Sequence, residues 1–90
     1  SIIDAKNERE SQKGFKKLHP DYQELYQKQR RIFEKDWTDS RLQIKKLKGF
    51  KNIFSFRITS KYRVYFHFKN IDIAEFIIIG HRKEQRKTLR

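Results

Sequence analysis

Cysteine is absent from the 90 residues, so neither a disulfide nor a thiolate zinc site can hold the chain together. That absence fits a reducing compartment. Proline occurs once and glycine three times, which leaves few breakers, no linker, and no glycine cradle for a phosphate. No Walker loop, no Ser-His-Asp order and no dinucleotide fingerprint is present. The longest apolar run is Phe76-Ile77-Ile78-Ile79, far short of the ~20 residues that a membrane span needs. The opening SIIDAKNERE lacks the basic-then-apolar pattern of a signal peptide. The expectation is one small domain over residues 1–90, soluble and cytoplasmic, with no membrane partner and no cofactor. A chain of this length buries only about 60–65% of its unfolded surface, so packing or a partner must supply much of its stability.

Acidic residues are also missing where they would matter. None occurs between Asp39 and Asp72. The net charge is +12, and it is unevenly spread. Residues 1–44 hold 10 basic and 8 acidic side chains, a net of +2; residues 45–90 hold 13 and 3, a net of +10. A field this one-sided favours a polyanion, nucleic acid first and an acidic protein second. Magnesium sites are built from carboxylates, so the basic stretch is not expected to hold a metal.

What is present divides at about residue 40. Residues 5–18 are charged until Phe15 and Leu18, and His19-Pro20 breaks the segment. His19 is assigned to a helix boundary, with Pro20 in the first turn of the next helix. Tyr22, Leu25, Tyr26, Ile32, Phe33 and Trp37 then follow at helical spacing, with Gln29 interrupting the stripe. After Asp39-Ser40 the period changes. Leu42, Ile44 and Leu47 lead into Lys48-Gly49 as a short strand or extended arm. Three strand-like runs, 52–58, 62–69 and 71–79, come next. The expected fold class is α+β: an N-terminal helical hairpin packed on a small antiparallel sheet, with a short basic C-terminal tail.

The stretch FSFRITSKYRVYFHF, residues 54–68, tests the register. A three-residue loop at 59–61 sets Ile58 opposite Tyr62, Phe56 opposite Val64 and Phe54 opposite Phe66. Arg57 then faces Arg63, and Ser55 faces Tyr65. One face is apolar throughout and the other polar and basic. A two-residue loop would mix them, because a one-residue slip moves every side chain to the other side. The register therefore predicts a core of Phe54, Phe56, Ile58, Tyr62, Val64, Phe66 and Phe68. Arg57, Arg63, Tyr65, His67 and Lys69 fall on the opposite face. The loop has no glycine, so Lys61 is expected in a left-handed conformation, at about 1 kcal/mol.

LKGFKNIFSFRITSKYRVYF followed by IIIGHRKE resembles the toxins of the RelE/ParE superfamily of bacterial toxin–antitoxin systems, RelE- and YoeB-type members above all. The resemblance rests on Leu47-Lys48-Gly49, Phe56-Arg57-Ile58, Tyr62-Arg63-Val64 and Gly80-His81-Arg82, in that order, and covers roughly residues 15–84. It implies two helices on an antiparallel sheet. It also implies a metal-independent endoribonuclease, an mRNA interferase acting on ribosome-bound message and neutralised by an acidic antitoxin. The alternatives are a ParE-like gyrase-inhibiting toxin and a catalytically silent RNA- or ribosome-binding module. The His in Gly80-His81-Arg82 argues against the gyrase class, which has no need of it.

Metal-free RNA cleavage must deprotonate the 2′-hydroxyl, stabilise the phosphorane, protonate the 5′ oxygen and hold the backbone in line. Arginine suits the phosphorane because its planar fork bonds phosphate oxygens in pairs. The candidate catalytic residues are Arg63 and Arg82, as phosphate stabilisers, and His81 as proton shuttle. Lys46, Lys48 and Arg57 are candidate RNA contacts, with Tyr65 and His67 as stacking residues. The tail KEQRKTLR departs from the family pattern: Arg86 stands where many members carry an aromatic residue. The family's N-terminal strand is also hard to find, since SIIDAKN offers only Ile2-Ile3 before a polar stretch.

Overall fold

The computed structural model describes residues 2–83, 85 and 89. In chain order it contains strand β1 (Asp4–Asn7), helices α1 (Arg9–Lys17) and α2 (Pro20–Lys35), and a 3-10 turn (Ser40–Leu42). Strands β2 (Lys45–Lys46), β3 (Phe54–Arg57), β4 (Tyr62–Phe68) and β5 (Ile73–His81) follow. They form one five-stranded sheet in the order β1-β5-β4-β3-β2. Among the described residues no helix is long and apolar enough to cross a membrane.

The α+β class holds, but the sheet is mixed rather than antiparallel. β1 exists and runs parallel to β5, pairing Ala5 with Ala74 and Asn7 with Phe76. Sequence pattern misses this strand because it is an edge strand with one buried residue, Ala5. Its anchors are remote in sequence. The Ile3 amide donates to the Glu34 carbonyl (2.8 Å), and Arg30 Nη2 donates to the Ala5 carbonyl (2.7 Å). Arg30 also bonds Asn7 Oδ1 and the Tyr26 hydroxyl, and its guanidinium lies 5.4 Å from the centre of the Phe76 ring. A cation placed over a ring in this way adds electrostatic attraction to the packing.

Helix α1 can sit on β5 because Gly14 has no side chain. A Cβ there would lie 1.9 Å from the Ile79 carbonyl oxygen. Helix α2 starts as the sequence predicts, with Pro20 in its first turn and the His19 ring accepting a bond from the Asp21 amide (3.1 Å). Its buried face carries Tyr26 and Phe33. Phe33 is fully buried against Phe56, Phe66 and Phe76, with ring centres 5.2, 4.8 and 5.4 Å away. Gln29, the gap in the apolar stripe, donates to the carbonyls of Arg41 (3.0 Å) and Arg57 (2.9 Å). The gap thus ties α2 to the 3-10 turn and to the end of β3.

The expected β3–β4 register is found: Phe54–Phe66, Ser55–Tyr65, Phe56–Val64 and Arg57–Arg63 are cross-strand partners. Phe56, Ile58, Val64 and Phe66 are buried, and Phe54, Tyr62 and Phe68 pack half-buried against them. Lys61 is not left-handed, contrary to expectation; the non-glycine residues with positive φ are Gln43 and Asn52. The reason lies in Thr59. Its hydroxyl accepts bonds from the amides of Lys61 and Tyr62, both at 3.2 Å, and so closes the loop without a left-handed residue. Between β4 and β5 the register shifts once. Tyr65 pairs with Ile78 and Phe66 with Phe76, which leaves Ile77 as the extra residue of a bulge. In the tail, Arg82, Lys83 and Gln85 are helical. Arg86, the departure from the family pattern, lies outside the described residues.

Candidate functional site

The helices cover one face of the sheet, and Arg63 stands on the other. Its position follows from strand alternation: Tyr62 and Val64 turn toward the core, so Arg63 cannot. The guanidinium is held from one side. Nε donates to Ser55 Oγ (2.8 Å), and Nη2 donates to the carbonyls of Gln43 (2.6 Å) and Ser55 (3.3 Å). Nη1 bonds none of the described residues.

Arg57 and Arg63 are cross-strand partners, as expected, and like charges so placed repel. Gln43 offsets part of that repulsion. Its carbonyl takes Arg63 and its Oε1 takes Arg57 Nη1 (3.3 Å), while its own backbone is left-handed at φ 48°. Sequence reading missed Gln43. Nothing in a lone glutamine after a 3-10 turn signals that its backbone will reach back to a residue 20 positions later. Partial burial pushes the Arg63 guanidinium below its ordinary pKa; the nearby Tyr65 opposes the shift and Arg57 adds to it. Arginine starts so high that it stays charged. An anion would relieve both the desolvation and the repulsion.

The other expected site residues divide. Arg82 lies close enough to Tyr65 for its charge to act there together with that of Arg63, so the two arginines share one region. Tyr65 is on the expected face but only 3% exposed, between Ser55 and Ile78 across the strands. Burial pushes its hydroxyl above the ordinary phenol range, with Arg63 and Arg82 pulling the other way. A ring so covered is not a stacking platform. Lys45, not Lys46, shares the row of Ser55 and Tyr65, because Lys46 pairs with Phe54 on the core side. Lys48 is exposed in the turn after β2.

The two expected histidines are elsewhere. His67 Nε2 lies 3.1 Å from Glu75 Oε1 and 3.9 Å from Glu8 Oε1. The ligand-type atoms of these three residues all fall within 4.8 Å of one another. Two carboxylates beside the imidazole repel phosphate, which disfavours the expected contact between His67 and an RNA backbone. His81 pairs with Tyr62, a core-side position, and its ring meets the Tyr62 ring edge-on at 5.7 Å. Its Nδ1 accepts a bond from the Lys83 amide (3.2 Å). The strand therefore sets His81 on the side away from Arg63, whose own cross-strand partner is Gly80.

No family model matches the chain, and no curated protein matches it by sequence. Solved structures do. The RelB–RelE antitoxin–toxin complex of Methanococcus jannaschii matches with TM-score 0.73 and 22% identity, over 90% of this chain and 94% of that one. The YoeB/ParE toxin from Agrobacterium tumefaciens gives TM-score 0.75 and 15% identity, over 88% and 98%. The E. coli DinJ–YafQ toxin–antitoxin complex gives 0.76 and 9%, over 93% and 97%. The chain shares its fold with these RelE-, YoeB/ParE- and YafQ-type toxin structures. With identities this low, the likeness speaks for the fold; what the open face does must be argued from its own residues.

Proposed function

We propose that this chain is a RelE-like toxin of a toxin–antitoxin system, an endoribonuclease that cleaves mRNA, with ribosome-bound message as its substrate. The observation that carries the reading is the mounting of Arg63. Ser55 and Gln43 hold one edge of the guanidinium, and Nη1 on the other edge bonds none of the described residues. A preorganised donor of this kind stabilises developing charge on a phosphorane without reorganising during the reaction. Arg57 and Lys45 lie on the same face to grip the backbone, and Arg82 adds charge beside them. The +10 net charge of residues 45–90 draws the polyanion in. The same charge suits an acidic antitoxin; the M. jannaschii and E. coli neighbours were solved as toxin–antitoxin complexes.

Induction in a bacterium followed by mapping of mRNA ends tests the reading. Codon-phased cuts are expected in the induced cells, and they are lost in Arg63→Ala. One observation favours a second reading, a silent RNA- or ribosome-binding module. Among the described residues no imidazole or carboxylate is brought beside Arg63 to move a proton. That reading predicts ribosome binding that weakens steeply with salt, intact message, and Arg63→Ala affecting affinity alone.

A further inference from the structure

The side of the sheet opposite Arg63 holds a cavity of 480 Å³ where α1 and the start of α2 meet the start of β4 and the end of β5. That volume lies in the range of small-ligand sites. Lys13, Lys17, His19, Tyr22, Tyr62 and His81 all contribute to its lining. Four of these carry basic nitrogen and two carry phenol rings.

The two histidines are prepared alike. His19 Nδ1 accepts from the Asp21 amide (3.1 Å), and His81 Nδ1 accepts from the Lys83 amide (3.2 Å). A nitrogen that accepts from a backbone N–H carries no proton of its own, so each neutral ring has its proton on Nε2 and offers a donor. The Asp21 carboxylate lies 3.7 Å from the same His19 Nδ1, too far to compete with the amide. Lys17 makes no ion pair among the described residues. The one carboxylate in the lining, Glu10, is 3.4 Å from Lys13 and so is already matched. Donors therefore outnumber acceptors. The rings of Tyr22 and Tyr62 lie 5.3 Å apart, tilted at 49°, and both are half-exposed.

We propose that this cavity binds a nucleotide. The base lies against Tyr22 and Tyr62, and the phosphate is held by Lys17 and the Nε2–H groups of His19 and His81. Stacking on aromatic rings beside a cationic flank is the chemistry by which proteins hold the nucleotides of a single strand without reading its sequence. The site is separate from the Arg63 face and stands whether or not that face cuts RNA. The nucleotide is either free in solution or one residue of an RNA strand that continues round the end of β5 from the open face.

The experiment is a set of amide NMR titrations of the whole chain. Its probes are AMP, adenosine, and an RNA tetranucleotide with 2′-O-methyl groups, which cannot be cut by 2′-hydroxyl attack. AMP is expected to shift Lys17, His19, Tyr22 and Tyr62 and to bind about tenfold tighter than adenosine, the difference of one phosphate contact set. Lys17→Glu, an exposed change that leaves the fold intact, weakens AMP by about the same factor, and Arg63→Ala leaves AMP binding unchanged. A tetranucleotide that outbinds AMP and is weakened by Arg63→Ala identifies the strand as the source; equal affinities identify the free nucleotide. The proposal is overturned if AMP shifts none of these amides, if adenosine binds as well as AMP, or if Lys17→Glu has no effect. It is equally overturned if an oligoglutamate peptide occupies the cavity in preference to AMP.

Discussion

The two faces of the sheet are closed by different means. The helix-covered face is filled by rings: Phe33, Phe56, Phe66 and Phe76 are each fully buried and in mutual contact. The open face is held by directional bonds, with Ser55 and Gln43 fixing Arg63 and with Glu75 and Glu8 beside His67. Burial of apolar surface is non-directional and additive, so the first face accounts for the stability of the fold. Hydrogen bonds to charged groups contribute less net energy but fix geometry, so the second face is where the proposed function is placed. Substitutions on the two faces should therefore separate stability from activity.

Phe33→Ala should show the largest effect. The ring touches three others and is fully buried, so its loss costs about 3–5 kcal/mol. A domain this small has little more than that in reserve. Urea titration followed by circular dichroism is expected to find the variant largely unfolded at 25 °C. A folded Phe33→Ala would break the contrast between the faces.

Gly14→Ala is next. The added methyl falls 1.9 Å from the Ile79 carbonyl, which is backbone and cannot rotate away, so α1 must lift from β5. Overpacking of this kind costs about 1–3 kcal/mol, more where backbone has to move, and outweighs the gain in helix propensity. Elsewhere in an exposed helix the same change would stabilise. The unfolding midpoint therefore reports whether α1 truly rests on the strand. Lifting α1 also opens the cavity at its C-terminal end, so nucleotide binding should weaken in parallel.

On the open face the effects should reverse. Arg63→Lys keeps the charge but loses the planar fork that reaches Ser55 and Gln43. Stability is expected to fall by about 1 kcal/mol. RNA cleavage should fall by about 100-fold or more, the effect of removing a preorganised donor to a developing negative charge. Equal losses of cleavage and stability would mean that Arg63 is a structural bridge.

How much of this could be read in the sequence follows the same divide. The β3–β4 register was legible to the residue, although the strands run Phe54–Arg57 and Tyr62–Phe68 rather than the expected 52–58 and 62–69, because alternation over Phe54–Phe68 admits one register and a slip would bury Arg57 or Arg63. Arg63 followed from that register. His81 did not, because the bulge at Ile77 and the end of β5 decide which side it takes, and neither shows in a continuous apolar run. Strand β1 was invisible for a related reason: its partners, Ala74, Phe76, Glu34 and Arg30, are distant in sequence. Lys45 and Gln43 were missed because two left-handed residues, Gln43 and Asn52, flank β2 and reset its phase.

The smallest expected effect concerns the 3-10 turn that delivers Gln43 to Arg63. Asp39 caps that turn: its carboxylate accepts from the Arg41 amide (2.9 Å) and side chain (3.0 and 2.8 Å). The Arg41 side-chain bond, followed by the backbone bond, lowers the carboxyl from 3.8 to about 2. A carboxyl whose pKa is lower in the folded chain binds its proton more readily when unfolded. Its contribution to stability is therefore whole above pH 3.8 and is lost as the pH falls toward 2. Asp39→Asn keeps a capping oxygen and removes the titration, so the urea midpoints of the two proteins should differ at pH 6 and converge below pH 2. Because the turn sets the Gln43 carbonyl under Arg63, the variant should also lose a little cleavage at pH 7. An unchanged cleavage rate would show that Ser55 alone is enough to hold the guanidinium, and would move Gln43 from the functional side of the comparison to the structural one.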